Sequence, residues 1–451
     1  MTVLKHRSWL LLVFACWLAA PSAWAADQPF PAVLSIRDRV ATVNRIVEAR
    51  LDRLLPIAMR ENGFDMWIIA SNEDNYDPVF QTMIPYNTWA PITQILVFYD
   101  PGAGKPIERL NVSRTFLRGL YKNVWDPAAW DREKKESQWD ALARVVKERD
   151  PKVIGINEGD VQWAAGGLTV SVKKALVAAL GPTYAGRLKS AESVATRWLE
   201  TFIDDEIPVY SQAVAVGHAL VAETMSNMAI TPGTTTVDDM NFYYWQRAAN
   251  LGLDMSFLPG CNIRGRSPQD AEKWGKDDRV VRPGDMLHCD VGIKYMRYNT
   301  DHQELAYVLR SGENDAPEGL KKALAEANRL QEVYASQFKT GLTGDEILSN
   351  ILTTAKARGI RNPRIYSHSL GYYLHEPGPL IGLPWEQVKN AGRGEVKLVD
   401  NSCFTAEMSV DALIPEWGGK EQRIPTEQDV IFTNGTVHFL NGRQTAFHLV
   451  R

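Results

Sequence analysis

Met286-Leu287-His288-Cys289-Asp290-Val291-Gly292, followed by Tyr298-Asn299-Thr300-Asp301, is the stretch on which the reading of this 451-residue chain turns. The first run has the apolar character of a buried strand and yet carries Asp290 within it; the second ends on Asp301. A hairpin turning between Tyr295 and Met296 would set the two aspartates directly opposite each other, with Cβ atoms about 4.5–5.5 Å apart. Like charges so placed oppose folding unless a cation sits between them. Two divalent ions about 3.5–4 Å apart would satisfy both carboxylates. Taken alone, the pair favours the plainer reading of two solvated turn aspartates. His288 and His302, beside them, read as strand residues facing away from the aspartates.

Three further clusters follow. His368-Ser369-Leu370-Gly371-Tyr372-Tyr373-Leu374-His375-Glu376-Pro377-Gly378 sets two histidines among glycines and aromatics. One neutral imidazole there could ligate a metal, and the other could donate to a substrate carbonyl or oxyanion. Hydrogen-bonded core histidines are the competing reading. Phe404-Thr405-Ala406-Glu407-Met408 and Glu427-Gln428-Asp429-Val430-Ile431-Phe432-Thr433-Asn434-Gly435 each put a glutamate at or beside an apolar, strand-like segment. An unpaired carboxylate is costly to bury there, so the alternative is a solvated edge position.

Order and spacing decide what no single cluster does. An Asp, a second Asp eleven residues on, His-x6-His-Glu-x-Gly, a Glu after a strand, and a Glu before Asp-Val-Ile-Phe-Thr-Asn-Gly together resemble the pita-bread metallohydrolases. That family includes methionine aminopeptidase, aminopeptidase P, prolidase and creatinase. The resemblance spans about residues 190–451, with Val281-Arg282-Pro283-Gly284-Asp285 as a familiar lead-in. It implies an α+β chain: a pita-bread catalytic domain at 191–451, preceded by a smaller α/β creatinase-like domain at 26–190. For the second domain the match is architectural, resting on alternating strands and helices between residues 38 and 180. Methionine aminopeptidase normally lacks such a domain, which points to the aminopeptidase P, prolidase and creatinase branch.

Position by position, the resemblance implies that Asp290, Asp301, His368, Glu407 and Glu427 bind two metal ions. Asp301 and Glu427 would bridge them, with Asp290 on one ion and His368 and Glu407 on the other. Four carboxylates and one imidazole suit Mn²⁺ and tolerate Zn²⁺ or Co²⁺. A metal-bridging hydroxide would attack the scissile carbonyl, Glu407 would shuttle the proton, and His375 would steady the substrate or the tetrahedral intermediate. Creatinase lacks the full ligand set; here all five positions are filled. The implied activity is that of an aminopeptidase acting on Xaa-Pro or related short peptides, and the implied assembly is a homodimer.

The chain departs from the family pattern in three places. Gly260-Cys261-Asn262-Ile263-Arg264-Gly265-Arg266-Ser267 has no histidine, and Ser267 stands about where a substrate-contacting one is expected. Gln303, two residues after Asp301, stands where threonine is common in the family. Pro425-Thr426 separates Arg423-Ile424 from Glu427, which leaves Glu421 as a weaker rival ligand. These departures keep two other readings open: an amidohydrolase acting on a small C–N substrate, and a catalytically silent peptide-binding module on the same fold.

The rest of the sequence bounds these readings. Lys+Arg number 50 against 54 Asp+Glu, net −4, with no basic run, which gives no footprint for nucleic acid. Lys5-His6-Arg7, a nearly apolar run over 9–20 and Ala23-Trp24-Ala25 have the layout of a signal peptide at residues 1–25, cut after Ala25. Cys16 sits in a poor match to a lipobox. The mature protein is then expected to be exported, periplasmic or secreted, with no later stretch long and apolar enough to span a membrane. Its cysteines, Cys261, Cys289 and Cys403, allow one bridge and one thiol, or three buried thiols.

Overall fold

The computed structural model describes residues 29–451, apart from 103, 127–135, 276 and 376. The expected signal peptide with its cut after Ala25, Cys16 and Glu376 lie outside the described residues.

The strands before residue 191 form one mixed sheet, in the order Lys122–Asn123, Glu108–Asn111, Thr93–Tyr99, Met66–Asn72, Ile154–Ile156, Leu188–Ser190. Its central strand, MWIIASN, is apolar along nearly its whole length because both faces are covered. Leu142 and Val146 of the helix Gln138–Arg149 and Leu176 of Val170–Ala185 pack against Ile68 and Val97 on one face. Trp67, Ile69 and Phe98 on the other face meet the 26-residue helix Ile36–Glu61. That helix belongs to a core continuing into the C-terminal half, where Trp198, Tyr210 and Val214 join it. Arg50 of the helix is fully buried; it donates to Glu206 at 2.6 Å and to the Thr201 carbonyl at 2.8 Å.

By length and composition Trp163–Ala185 is apolar enough to cross a membrane, contrary to the expectation that no such stretch follows the signal. It is not one continuous helix. A 3-10 turn over Trp163–Ala165 and a loop to Thr169 precede the helix, and Gly181, at φ 63, breaks it before Pro182. Its Val172, Leu176 and Leu180 recur at four-residue spacing and lie against the sheet.

The C-terminal half carries the sheets that position the site. Gly260–Gly265, Met286–Val291, His302–Val308 and His448–Val450 form one; Arg364–Tyr366, Glu407–Ile414 and Lys420–Thr426 form a second; Ser402–Thr405, Asp429–Thr433 and Thr436–Phe439 a third. Helices Glu318–Ala335 and Gly344–Ala357 cover the latter two through Leu324, Leu330 and Ile351. Thr236 caps Val237–Asn250 in a capping box with Asp239, as the sequence predicts.

The hairpin turns one residue later than its sequence suggests. Tyr295 pairs with Tyr298, and Met296 and Arg297 both have positive φ, 51° and 76°, the two-residue turn that matches strand twist. The register therefore sets Asp290 opposite Gln303, and Asp301 is its diagonal neighbour.

Cys261 and Cys289 are joined across adjacent strands, and Cys403 is buried outside the bridge. The bridge closes a loop of 28 residues next to Asp290. Loop-closure entropy gives it about 3–4 kcal/mol. Cys261→Ser/Cys289→Ser is expected to lower the urea midpoint accordingly, with reductant shifting the wild type but not the variant. A midpoint that stays put in both would remove the bridge from the stability account.

Candidate metal centre

Strand alternation decides which side chains meet. Asp290 and His288, two apart on Met286–Val291, share a face, and Gln303 faces Asp290 from the next strand. The expectation that His288 faces away therefore fails. His302 does face away: its ring stacks on His218 at 4.7 Å, and a Cβ on Gly217 would come within 2.5 Å of it.

Asp301 lies just before His302–Val308, and its N–H donates to Asp429 Oδ1 at 3.1 Å. His368 follows Arg364–Tyr366; its Nδ1 lies 3.1 Å from the Ser369 carbonyl, so Nδ1 carries the hydrogen. The other nitrogen, Nε2, is left with its lone pair 3.7 Å from Asp301 Oδ2. Glu407 opens its strand opposite Tyr366. Glu427 sits between two strands, where its carbonyl accepts the Gln303 N–H at 3.1 Å.

Asp301, His368 and Glu427 offer ligand atoms that all lie within 4.8 Å of one another. These three are buried, Asp290 and Glu407 are half-buried and His375 is exposed, so the cluster opens on the side of the latter three. The rings of His368 and His375 meet edge to face at 4.6 Å. Glu421 is elsewhere, paired on the surface with Arg361 at 2.6 Å. Ser267 also leaves the site: it caps Pro268–Trp274 and donates to Asp270.

The electrostatics are those of crowded acids. Burial, then the charge of Asp290, pushes Glu407 up to about 8; burial pushes Asp290 up to about 6. Asp301 is held well above the usual carboxylate range by burial, then by Asp290, Glu407 and Asp429. Burial followed by Asp301, Glu407 and Asp290 does the same to Glu427. His368 is pushed down to about 3 by burial and then by His375, which keeps it neutral as a ligand must be. His375 is lowered by burial, then by the Arg393 guanidinium.

Divalent cations fit this group. Asp290 Oδ1, Asp301 Oδ1 and Glu427 Oε1 are buried with no hydrogen-bond partner among the described residues. Buried, unsatisfied oxygens on mutually repelling carboxylates are what a cation would neutralise. Oxygen ligands with one imidazole suit the harder first-row ions.

The family model for metallopeptidase family M24 matches residues 209–434 and so takes in every one of these side chains. The chain belongs to metallopeptidase family M24. No curated protein matches it. Among solved structures, it is similar to an X-Pro aminopeptidase from Thermotoga maritima, at 18% identity over 87% of this chain and 100% of that one, TM-score 0.59. An Xaa-Pro dipeptidase from Bacillus anthracis is similar at 17% identity over 92% of this chain and 99% of that one, TM-score 0.55. The dipeptidase PepE from Mycobacterium ulcerans is 16% identical over 91% of this chain and 98% of that one, TM-score 0.54. These likenesses show the pita-bread fold with its N-terminal extension across most of the chain.

In this M24 chain four side chains near the centre escape a reading of motifs. Gln303 donates to Glu407 and Glu427. Tyr366 sets its ring 5.1 Å from that of His368. Asp429 holds the Asp301 backbone. Arg393 lies over Trp163 at 5.0 Å, its Nε buried and without a partner among the described residues. Only Gln303 left a mark in the sequence, as a departure from threonine. The others sit in motifs by register or arrive from a distant loop.

Proposed function

We propose that this M24 protein is an exported, dinuclear metal-dependent aminopeptidase that acts on Xaa-Pro or related short peptides, as a homodimer. The observation that carries the reading is the convergence of buried Asp301, His368 and Glu427, with Asp290 and Glu407 at their open side. Asp290, Asp301, His368, Glu407 and Glu427 would together hold the ions. When bound, the ions, Mn²⁺ first and Zn²⁺ or Co²⁺ as alternatives, supply Lewis acidity that polarises a scissile carbonyl and activates water.

The chain's own groups do the rest. Glu407 Oε1 accepts from Gln303 at 3.0 Å, and its carboxyl would take a proton and pass it to the leaving amine. His375, at the mouth beside His368, donates to the carbonyl oxygen as charge develops there. Arg393, whose charge is felt at His375, offers a cation for a nearby carboxylate, so dipeptides belong among the substrates tried. The N-terminal signal layout and the cross-strand disulfide support an exported, oxidising location.

A second reading, an amidohydrolase acting on small C–N substrates, is favoured by Ser267 being spent as a helix cap, so that this position supplies no imidazole. One experiment separates the two. Metal-stripped protein receives Mn²⁺, Zn²⁺ or Co²⁺ and is offered Xaa-Pro dipeptides, longer Xaa-Pro peptides, proline-free peptides and small amides. Metal-dependent release of the residue before proline is the expected result. Turnover of small amides alone would replace the peptidase reading with the second, and peptide binding without turnover would leave a silent binding module.

A further inference from the structure

The helix Glu192–Glu200 touches the loop carrying His368 and His375 at both of its ends. At its start, the Glu192 carboxylate accepts from the backbone N–H groups of Asp160, at 3.2 Å, Val161, at 2.7 Å, and Gln162. The buried Gln162 amide in turn donates to the Gly378 carbonyl at 3.2 Å. At the other end, Glu200 reaches Gly378 directly. A Cβ on Gly378 would stand 3.2 Å from Glu200 Oε2 and 2.1 Å from Ser369 Oγ. Gly378 has φ 144, a conformation that side chains rarely adopt, and the spot stays free of one.

Two oxygens therefore border the same small space. Ser369 and Glu200 are 1% and 5% exposed, and Ser369 Oγ and Glu200 Oε2 have no hydrogen-bond partner among the described residues. Buried polar atoms are costly to leave in that state, and a single hydrogen between them would satisfy both.

The surroundings decide the state of Glu200. It ends its helix, where the backbone carbonyls make the field negative. The cations around it are engaged elsewhere. Arg197 pairs with Glu61 at 2.9 Å, and Arg50, which donates to the Trp198 and Thr201 carbonyls, pairs with Glu206 at 2.6 Å. Arg393 lies over Trp163 on the adjoining turn. His368 and His375, on the facing loop, are both held down and neutral. Burial, opposed by the charge of Arg197 and aided by that of Glu61, pushes Glu200 up to about 8. At neutral pH it is a carboxylic acid with a hydrogen to give.

Ser369 is where such a bond matters. Its carbonyl accepts the Nδ1 hydrogen of His368, which frees Nε2 for metal, and its loop runs on to His375. We propose that Glu200 is a positioning residue: as a neutral acid it donates to Ser369 Oγ and holds the loop 368–378 in place. Once ionised it can only accept, and a buried charge at the carboxyl end of a helix draws water into the slot and loosens the loop. This rests on the metallopeptidase reading above and adds a group outside the proposed ligand set on which turnover depends.

The test uses the full-length chain and Glu200→Gln, which keeps a donor in the same shape but cannot ionise. With Mn²⁺ bound, kcat of the wild type on an Xaa-Pro peptide is expected to fall about tenfold from pH 7 to pH 9, with KM changed less. Glu200→Gln should match wild type at pH 7 and lose less than about threefold over the same range. Ser369→Ala, which removes the acceptor, should lower kcat about fivefold already at pH 7, with the bound metal unchanged. The second readout is amide hydrogen exchange of residues 366–380 in chelator, corrected for the intrinsic effect of pH. Protection should fall from pH 7 to pH 9 in wild type and hold in Glu200→Gln. Parallel activity profiles in the two proteins would overturn the inference, even if the melting temperature moved, and leave the metallopeptidase reading standing. A wild type that cleaves no peptide would overturn that reading instead, and parallel exchange would then sink the role of Glu200 as well.

Discussion

Asp301→Asn is expected to lower kcat/KM on an Xaa-Pro peptide by about a thousandfold or more and to leave less than one ion per chain after gel filtration. Asp301 has the most demanding position in the cluster. Its Oδ1 is buried without a partner among the described residues, and its Oδ2 lies 3.7 Å from the free nitrogen of His368. Asparagine keeps the shape but loses the charge, and its amide hydrogens would face a lone pair or the neighbouring carboxylates. The backbone tie is retained, because the bond to Asp429 comes from the main-chain N–H. Misfolding is therefore not the expected outcome. With metal stripped, the variant should melt no lower than wild type, since one of several repelling carboxylates has gone. Full turnover in Asp301→Asn would sink the proposed site; lost turnover with two ions still bound would move Asp301 from metal holding to another step.

The residues proposed as ligands stood out in the sequence because each breaks a local rule. Asp290 interrupts an apolar strand, His368 sits where glycines and aromatics crowd, and Glu407 and Glu427 begin or follow buried strands, each at a cost that some partner must offset. Fold class was legible for a related reason. The runs 66–70, 95–99 and 286–291 fall within observed strands, and the helix ends at Thr236 and Thr343 carry capping boxes. What escaped depends on turns and register. The hairpin centre moved by one residue because Met296 and Arg297, neither of them a usual left-handed residue, adopt positive φ. That single step set Gln303 instead of Asp301 across from Asp290, whereas His288 shares the face of Asp290 by strand alternation alone, whatever the register. Arg393 was beyond reach for another reason: it is placed by a loop far from every motif, and only the folded chain sets it against Trp163 and His375. Disulfide pairing was equally closed to spacing alone, since Cys261, Cys289 and Cys403 allow three pairs among themselves and strand pairing selects one.

Without metal, the protein should become less stable as pH rises from about 6.5 to 8, and divalent ions should reduce that loss to the part due to Glu200, a buried carboxyl outside the cluster that burial also pushes up to about 8. Glu407 is held up to about 8 by burial and then by Asp290, against an ordinary value of 4.5. Asp301 and Glu427 are raised as well, burial being the first cause for each. Across this window the folded chain keeps protons that the unfolded chain has released, so unfolding is favoured as pH climbs. The raised carboxyls contribute fully below their unfolded values and lose that contribution as pH passes their folded ones. Asp290, at about 6, has given up most of its contribution by the start of the window. The buried histidines run the other way: His368, at about 3, and His288, at about 4, cost stability only where the unfolded imidazole is protonated. Above their ordinary value of 6.5 they fall silent, which leaves the carboxyls in control. One such group is worth about 1.4 kcal/mol per pH unit, so a fall of about a few degrees in melting temperature is expected. The measurement is a set of melts at pH 6.5, 7, 7.5 and 8, in chelator and in saturating Mn²⁺. A gap between the two curves that widens with pH is the expected result. Parallel curves would mean that the carboxylates lose their protons together in folded and unfolded chains, and that the cluster is too well solvated to be a metal centre of the proposed kind.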